Sequence, residues 1–181
     1  MLVDGDTVNE TDLNRQLFAT RSNVGKLKTQ AARKRLSDVS DTEFVVVSEF
    51  VNGDNVAKVL ADEPDVVLDA IDQTADKLAL IEFCMTKGIP LVSSMGAGGR
   101  LGPVEVKTAD ISETEGCALA RKMRRKLRSK CIESGFDAVY SPQAAVSSAQ
   151  KSSGAQPSSV FATAPFGFAL AAAAVKKALS L

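Results

Sequence analysis

"PDVVLDAIDQTADKLALIEFCMTKGIPLVSSM", residues 64–95, divides into strand, helix and strand. "VVLDAID" is an apolar, β-branched run that turns acidic at its end. "TADKLALIEFCMTK" repeats apolar residues at helical spacing and stops at Gly88, and "IPLVSSM" is apolar again. Strands alternating with helices of about 10 to 15 residues form βαβ units, and such units build a parallel sheet covered by helices. The same alternation extends upstream. "GKLKTQAARKRLSDV" (25–39) spreads Leu27, Ala31 and Leu36 at helical spacing, and "EFVVVSEF" (43–50) suits a buried strand. "NGDNVAKVLADE" (52–63) reads as a helix with Asn52 or Asp54 as its N-cap.

Downstream of Gly96 the character changes. "GAGGRLGP" (96–103) is a glycine-rich loop, "VEVKTA" (104–109) a short strand and "EGCALARKMRRKLRSKCIES" (115–134) a basic helix. Residues 137–159 read as strand pieces joined by a loop, mobile over 149–159, and an Ala-rich helix over 166–178 is buried or faces a second copy. The apolar run from Val160 to Val175 has 16 residues and is interrupted by Pro165. That is short of the roughly 20 residues needed to cross a bilayer, so no stable membrane insertion is expected.

Composition narrows the class. A chain of 181 residues, 45% apolar and 24% charged, is expected to form one soluble domain. Its formal net charge of zero leaves nucleic-acid binding to local clusters. Cys84, Cys117 and Cys131 have no CxxC spacing and suit a reducing cytosol. Residues 1–20 hold four carboxylates and no apolar segment of a secretory signal, so the expected location is cytoplasmic.

In open α/β sheets ligands bind outside the carboxyl ends of the strands. Asp4 and Asp6 lie at one such end, Asp69 and Asp72 at another, with Arg15 and Lys28 a short way along the chain. Carboxylates suit ribose hydroxyls and a divalent cation, and cations suit phosphate oxygens. A single strand-end Asp is more often a turn former or a helix cap; for the whole set the two readings stand level.

"LVDGDTVNETDLNRQLF", "VGKLK", "DVVLDAIDQTADK" and "IPLVSSMGAGG", in that order and spacing, resemble the adenylating superfamily of ThiF, MoeB and the ubiquitin-activating enzymes. Within it, "FATRSNVGKLK", "GAGGRLGPVEVKTADIS", "LARKMRRKLRS", "VYSPQ" and "FGFALAAAAVKKAL" look like segments of the tRNA threonylcarbamoyladenosine dehydratase branch, also described as CsdL-like. The resemblance implies an α/β, Rossmann-like mixed sheet with flanking helices, N-terminally truncated, with a nucleotide-binding half over 1–95 and a substrate-binding and dimerisation half over 96–181. It implies ATP and Mg2+ as cofactors. Asp4 would hold the ribose hydroxyls, Arg15 and Lys28 the triphosphate with Asn14 beside them, and Asp72 the Mg2+ at the leaving pyrophosphate; Arg15 and Asp72 are thus the catalytic pair. Asp6 and Asp69 shape the site.

The reaction implied is ATP-dependent dehydration of threonylcarbamoyladenosine in tRNA: the carboxylate is adenylated, and the neighbouring carbamoyl group closes a ring on it. Residues 121–130 hold seven positive charges and two apolar residues. A solvated face is the usual account of such a run, but almost no acids balance this one. Arg121, Lys122, Arg124, Arg125, Lys126 and Arg128 are therefore assigned to tRNA phosphates. The competing readings are adenylation of the C-terminal glycine of a ubiquitin-like or sulfur-carrier protein, and a non-catalytic scaffold binding a partner such as a cysteine desulfurase system component. A homodimer is expected. The family's glycine-rich loop of the GxGGxG type, with its strand, has no counterpart in these 181 residues; "GAGG" (96–99) follows a late strand with no helix behind it. Two neighbouring strands are therefore expected to lack a partner, and the chain by itself is expected to bind ATP poorly or not at all.

Overall fold

A computed structural model describes residues 1–100, 103–145 and 158–180. Among the described residues six strands and five α-helices follow one another: β1 (Leu2–Val3), α1 (Lys28–Ser37), β2 (Val46–Val47), α2 (Val56–Val59), β3 (Val67–Asp69), α3 (Thr74–Lys87), β4 (Leu91–Ser94), β5 (Lys107–Asp110), α4 (Ala118–Arg128), β6 (Asp137–Tyr140) and α5 (Val160–Ala178). Short 3-10 helices at Glu10–Asp12, Arg21–Asn23 and Ile111–Glu113 shape the connections.

The main sheet runs β3-β4-β6-β5, with β3, β4 and β6 parallel and β5 antiparallel to β6. It is the mixed sheet that the family resemblance implies; the antiparallel β5 departs from the parallel sheet expected from the strand–helix alternation. Side chains alternate across it. Leu91, Ala138 and Tyr140 pack with Leu80, Ile81 and Cys84 of α3 and Ala120, Met123 and Leu127 of α4. Val92 and Val139 face the other way, against Phe166, Leu170 and Ala174 of α5. Each fully buried aliphatic side chain contributes about 1.5 to 3 kcal/mol, and Ile81, Val92, Val139 and Met123 are 0% exposed. Three layers result, with α3 and α4 on one face and α5 on the other.

β1 and β2 form a separate parallel pair. Among the described residues they pair only with each other, and β3 has no strand beyond its free edge. Leu68, in the middle of β3, is 47% exposed. The unpaired neighbours expected from the sequence are thus β1 and β3.

Several boundaries differ from expectation. The strand expected over 43–50 shortens to Val46–Val47, because only β1 pairs with it. The helix expected over 52–63 is the single turn Val56–Val59, capped at Asn55: the Asn52 side chain accepts from the Asp54 and Asn55 amides and holds those residues in a turn. The basic helix narrows to Ala118–Arg128, and the strand expected over 104–109 forms at Lys107–Asp110. α5 begins six residues earlier than 166, at Val160. It takes Pro165 into its second turn, where the ring removes one backbone bond. Gly88 closes α3 in the left-handed conformation, as expected. Of the stretch expected to be mobile, residues 149–157 lie outside the described residues.

Candidate active site

A cavity of about 480 Å³ lies between the ends of β1 and β3. Asp4, Asp6, Arg15, Lys28 and Asp72 all line it, so residues from four separate segments meet outside the carboxyl ends of β1 and β3, where open α/β sheets bind ligands. The wall beneath is apolar, with Val3, Phe50, Leu60 and Val67. Gly5 separates the two aspartates because Phe50 closes over it: a Cβ there would lie 2.6 Å from the Phe50 amide nitrogen. The Asp4 Oδ1 accepts the Asp6 N–H at 2.9 Å and the Asp6 Oδ1 the Thr7 N–H at 2.8 Å, which bends the chain away from β1.

The two cations are already paired. Lys28, the first residue of α1, donates from Nζ to Asp6 Oδ2 at 2.5 Å and lies 3.7 Å from Asp12 Oδ2. Arg15 donates from Nη2 to Asp12 Oδ1 at 3.0 Å, and from Nη1 to the Thr11 carbonyl at 2.5 Å and Asn14 Oδ1 at 3.1 Å. The hydrogen bond from Lys28 holds the Asp6 carboxyl below its ordinary value against partial burial. Burial opposes the Lys28 charge, but the Asp6 hydrogen bond and the charges of Asp12, Asp6 and Asp4 prevail and raise its pKa.

Asp12, 3% exposed, joins both cations, and sequence reasoning overlooked it. Its Oδ2 also accepts the Asn9 N–H at 3.0 Å, closing a capping box. The Asn9-to-Asp12 spacing was the available signal. Asn14 is not among the lining residues; its Nδ2 donates to the Ser158 carbonyl at 2.8 Å, ahead of α5. Asp72 is exposed at the cavity. Asp69 is 1% exposed, lines the floor of the cavity and meets Lys77, which is 0% exposed and was also overlooked. Lys77, Leu80, Ile81 and Cys84 share one buried face of α3, so the helical spacing did mark this lysine as an inward charge.

The cations assigned to tRNA are not equivalent. Arg121, Lys122, Arg125 and Arg128 are exposed, whereas Lys126 is half-buried. Arg124 is also half-buried and donates to the Thr114 carbonyl at 2.7 Å and to the Thr114 hydroxyl. Lys122 Nζ reaches Thr74 Oγ1 at 3.1 Å, two residues beyond Asp72, so the basic helix starts beside the cavity.

The sequence matches the profile of the ThiF family over residues 1–180. The chain belongs to the ThiF family. This ThiF chain is 37% identical over 153 residues to the tRNA threonylcarbamoyladenosine dehydratase of Escherichia coli (strain K12), covering 80% of this chain and 57% of that protein. It is 33% identical over 147 residues to the protein of the same name in Bacillus subtilis (strain 168), covering 81% of this chain and 58% of that protein. The ThiF chain therefore spans a little over half the length of these curated relatives. The crystal structure of the E. coli tRNA N6-threonylcarbamoyladenosine dehydratase in complex with ATP superposes with a TM-score of 0.88 at 34% identity, covering 99% of this chain and 74% of that chain. The ThiF fold here is the Rossmann-like α/β fold of that relative.

Proposed function

We propose that this chain serves ATP-dependent dehydration of threonylcarbamoyladenosine in tRNA through adenylation of the threonyl carboxylate. The observation that carries the reading is the convergence of Asp4, Arg15, Lys28 and Asp72 on one cavity, in a chain whose relative is crystallised with ATP. Asp4 binds the ribose hydroxyls, and Arg15 and Lys28 exchange their carboxylate partners for phosphate oxygens. Asp72 offers Mg2+ a single exposed carboxylate; that ion takes one or two carboxylates together with substrate phosphates, so the donor fits.

The substrate carboxylate attacks the α-phosphorus, the bond to the β-phosphate oxygen breaks and pyrophosphate leaves. The carbamoyl group, tethered on the same nucleoside, then attacks the mixed anhydride and expels AMP. Arg15 and Lys28 stabilise the charge that builds on the phosphates in the first step. Residues 1–95 form the nucleotide half, and 96–181 the half that takes tRNA and a second subunit.

Arg121, Lys122, Arg125 and Arg128 present phosphate contacts on the exposed side of α4. Lys126 flanks them, and Arg124 braces the helix. A homodimer through α5 accounts for Phe161, Phe168 and Val175, spaced seven residues apart and all exposed. The enzyme works in the cytoplasm, with a cysteine desulfurase system component as a further partner.

ATP-pyrophosphate exchange tests the reading. Exchange stimulated by tRNA bearing threonylcarbamoyladenosine is expected. Exchange with only a glycine-ended carrier protein would reassign the substrate, and exchange with neither would leave a binding scaffold.

A further inference from the structure

Helix α3 carries a lysine where two physical rules oppose it. Lys77 is 0% exposed and stands in the first turn of α3, at the positive end of the helix dipole. A methionine would fill similar space without a charge to desolvate. Replacing a buried ion pair by apolar residues is often neutral or stabilising, so fold stability alone does not account for this lysine.

Its contacts give a different account. The ammonium spends its three protons on Asp69 Oδ2 at 2.6 Å, Ser93 Oγ at 3.3 Å and the Ser94 carbonyl at 2.9 Å. Ser93 Oγ donates to the same Asp69 oxygen at 2.5 Å. The other oxygen, Oδ1, accepts the Ile71 N–H at 2.9 Å. Lys77 and Ser93 thus fix one edge of the carboxylate, and its opposite edge fixes the turn at Ile71. The next residue is Asp72, on the cavity wall. The Ser94 bond ties the same ammonium to the end of β4, where the glycine-rich loop begins.

We propose that Lys77 is a positioning residue for the nucleotide site: through Asp69 it sets the turn that presents Asp72 to the phosphate-bound cation. The role rests on the nucleotide reading of the cavity given above. Lys77 touches no substrate and acts only through Asp69.

The test compares the whole chain with K77M and with D69N/K77M. K77M alone strands a buried carboxylate and can unfold the domain, whereas the double variant removes both charges together. Two quantities are read beside the melting temperature: exchange of the Ile71 amide proton by NMR, and the Mg2+ concentration that half-saturates ATP binding. In D69N/K77M we expect a near-native melting temperature and Ile71 exchange accelerated about tenfold, because a neutral amide oxygen that no ammonium anchors replaces the charged acceptor. The Mg2+ requirement is expected to rise by roughly tenfold, the usual effect of removing the support behind a metal ligand. D72N should raise the Mg2+ requirement and leave Ile71 exchange unchanged. Unaltered Ile71 exchange in D69N/K77M, or faster exchange with an unaltered Mg2+ requirement, overturns the role of Lys77. Absence of Mg2+-dependent ATP binding by the wild-type chain instead overturns the nucleotide reading, and the Ile71 measurement still decides whether Lys77 sets the turn.

Discussion

Asparagine in place of Asp6 separates two roles for a carboxylate beside a phosphate site: holding a cation in place, or competing for it. Lys28 Nζ lies 2.5 Å from Asp6 Oδ2, with side-chain exposures of 12% for Lys28 and 41% for Asp6. A pair so open on its acidic side is discounted to the upper end of surface pairs, about 1 kcal/mol. In a domain of this size that is a fall of about 2 to 4 °C in Tm for D6N at neutral pH. The Asp6 carboxyl titrates below its ordinary 3.8 because Lys28 donates to it. Its contribution is therefore present above the unfolded value and lost as pH falls through the lower folded one. Lys28 titrates above its ordinary 10.5, so its contribution is present below that value and lost as pH rises through the folded one. The Tm gap between wild type and D6N should stay level across neutral pH and close below pH 3.8.

Nucleotide binding should move the other way. With Lys28 between them, a phosphate oxygen would stand about two hydrogen-bond lengths, roughly 6 Å, from the Asp6 carboxylate; removing that charge relieves roughly 0.7 kcal/mol in water and about 2.8 kcal/mol at an effective dielectric of about 20. Salt screening at such distances favours the lower part of that range, about 1 kcal/mol, or roughly fivefold tighter binding. Calorimetric titration with ATP and Mg2+, run beside thermal melts from acid to neutral pH, measures both quantities. If D6N loses the expected stability but binds ATP more weakly than wild type, Asp6 orients Lys28 for the phosphates and the competition argument is refuted.

The remaining predictions concern other parts of the molecule. D72N, at an exposed position, should keep the stability within about 0.5 kcal/mol of wild type, and a Mg2+ titration of ATP binding should show a requirement raised roughly tenfold or more. The triple variant R121A/R125A/R128A should lower the salt slope of tRNA binding by about 2 to 3, read by filter binding over a salt series. R124A should leave that slope unchanged and cost about 1 to 2 kcal/mol in urea unfolding, because its guanidinium is engaged with Thr114. G116A should be destabilised by about 2 to 4 kcal/mol in the same assay: Gly116 has φ +67, and a Cβ there would fall 2.2 Å from the Pro142 carbonyl oxygen.

What could be read from the residues alone divides along a physical line. Asp4 and Asp72 could be placed near each other because they follow β1 and β3, and parallel βαβ topology brings strand ends together; Arg15, past a 3-10 turn, and Lys28, at the start of α1, reach the same cavity only through the path of the connection between them. Gly88 was legible because left-handed backbone leaves few alternatives to glycine. Pairing of polar side chains is a different matter, since it depends on local turn geometry that spacing alone does not give. The run at 121–130 gives no sign that Arg124, alone among its arginines, is tied to Thr114. Likewise, "TDLNR" presents Arg15 as a free cation, although Asp12 holds it from three residues away.

Lys77 marks the boundary between the two kinds of information. Its spacing from Leu80, Ile81 and Cys84 puts it on the buried stripe of α3, and a charge on that stripe must find an opposite charge inside the fold. The sequence therefore poses the question, and the answer is narrow. Parallel pairing sets Asp69 opposite Ser93 across β3 and β4, on the sheet face that α3 covers, so the inward lysine meets both. A charged residue at an apolar helical position, taken together with an acid at the end of the strand that feeds the helix, is thus a sequence-level signal for a buried pair beneath a ligand site.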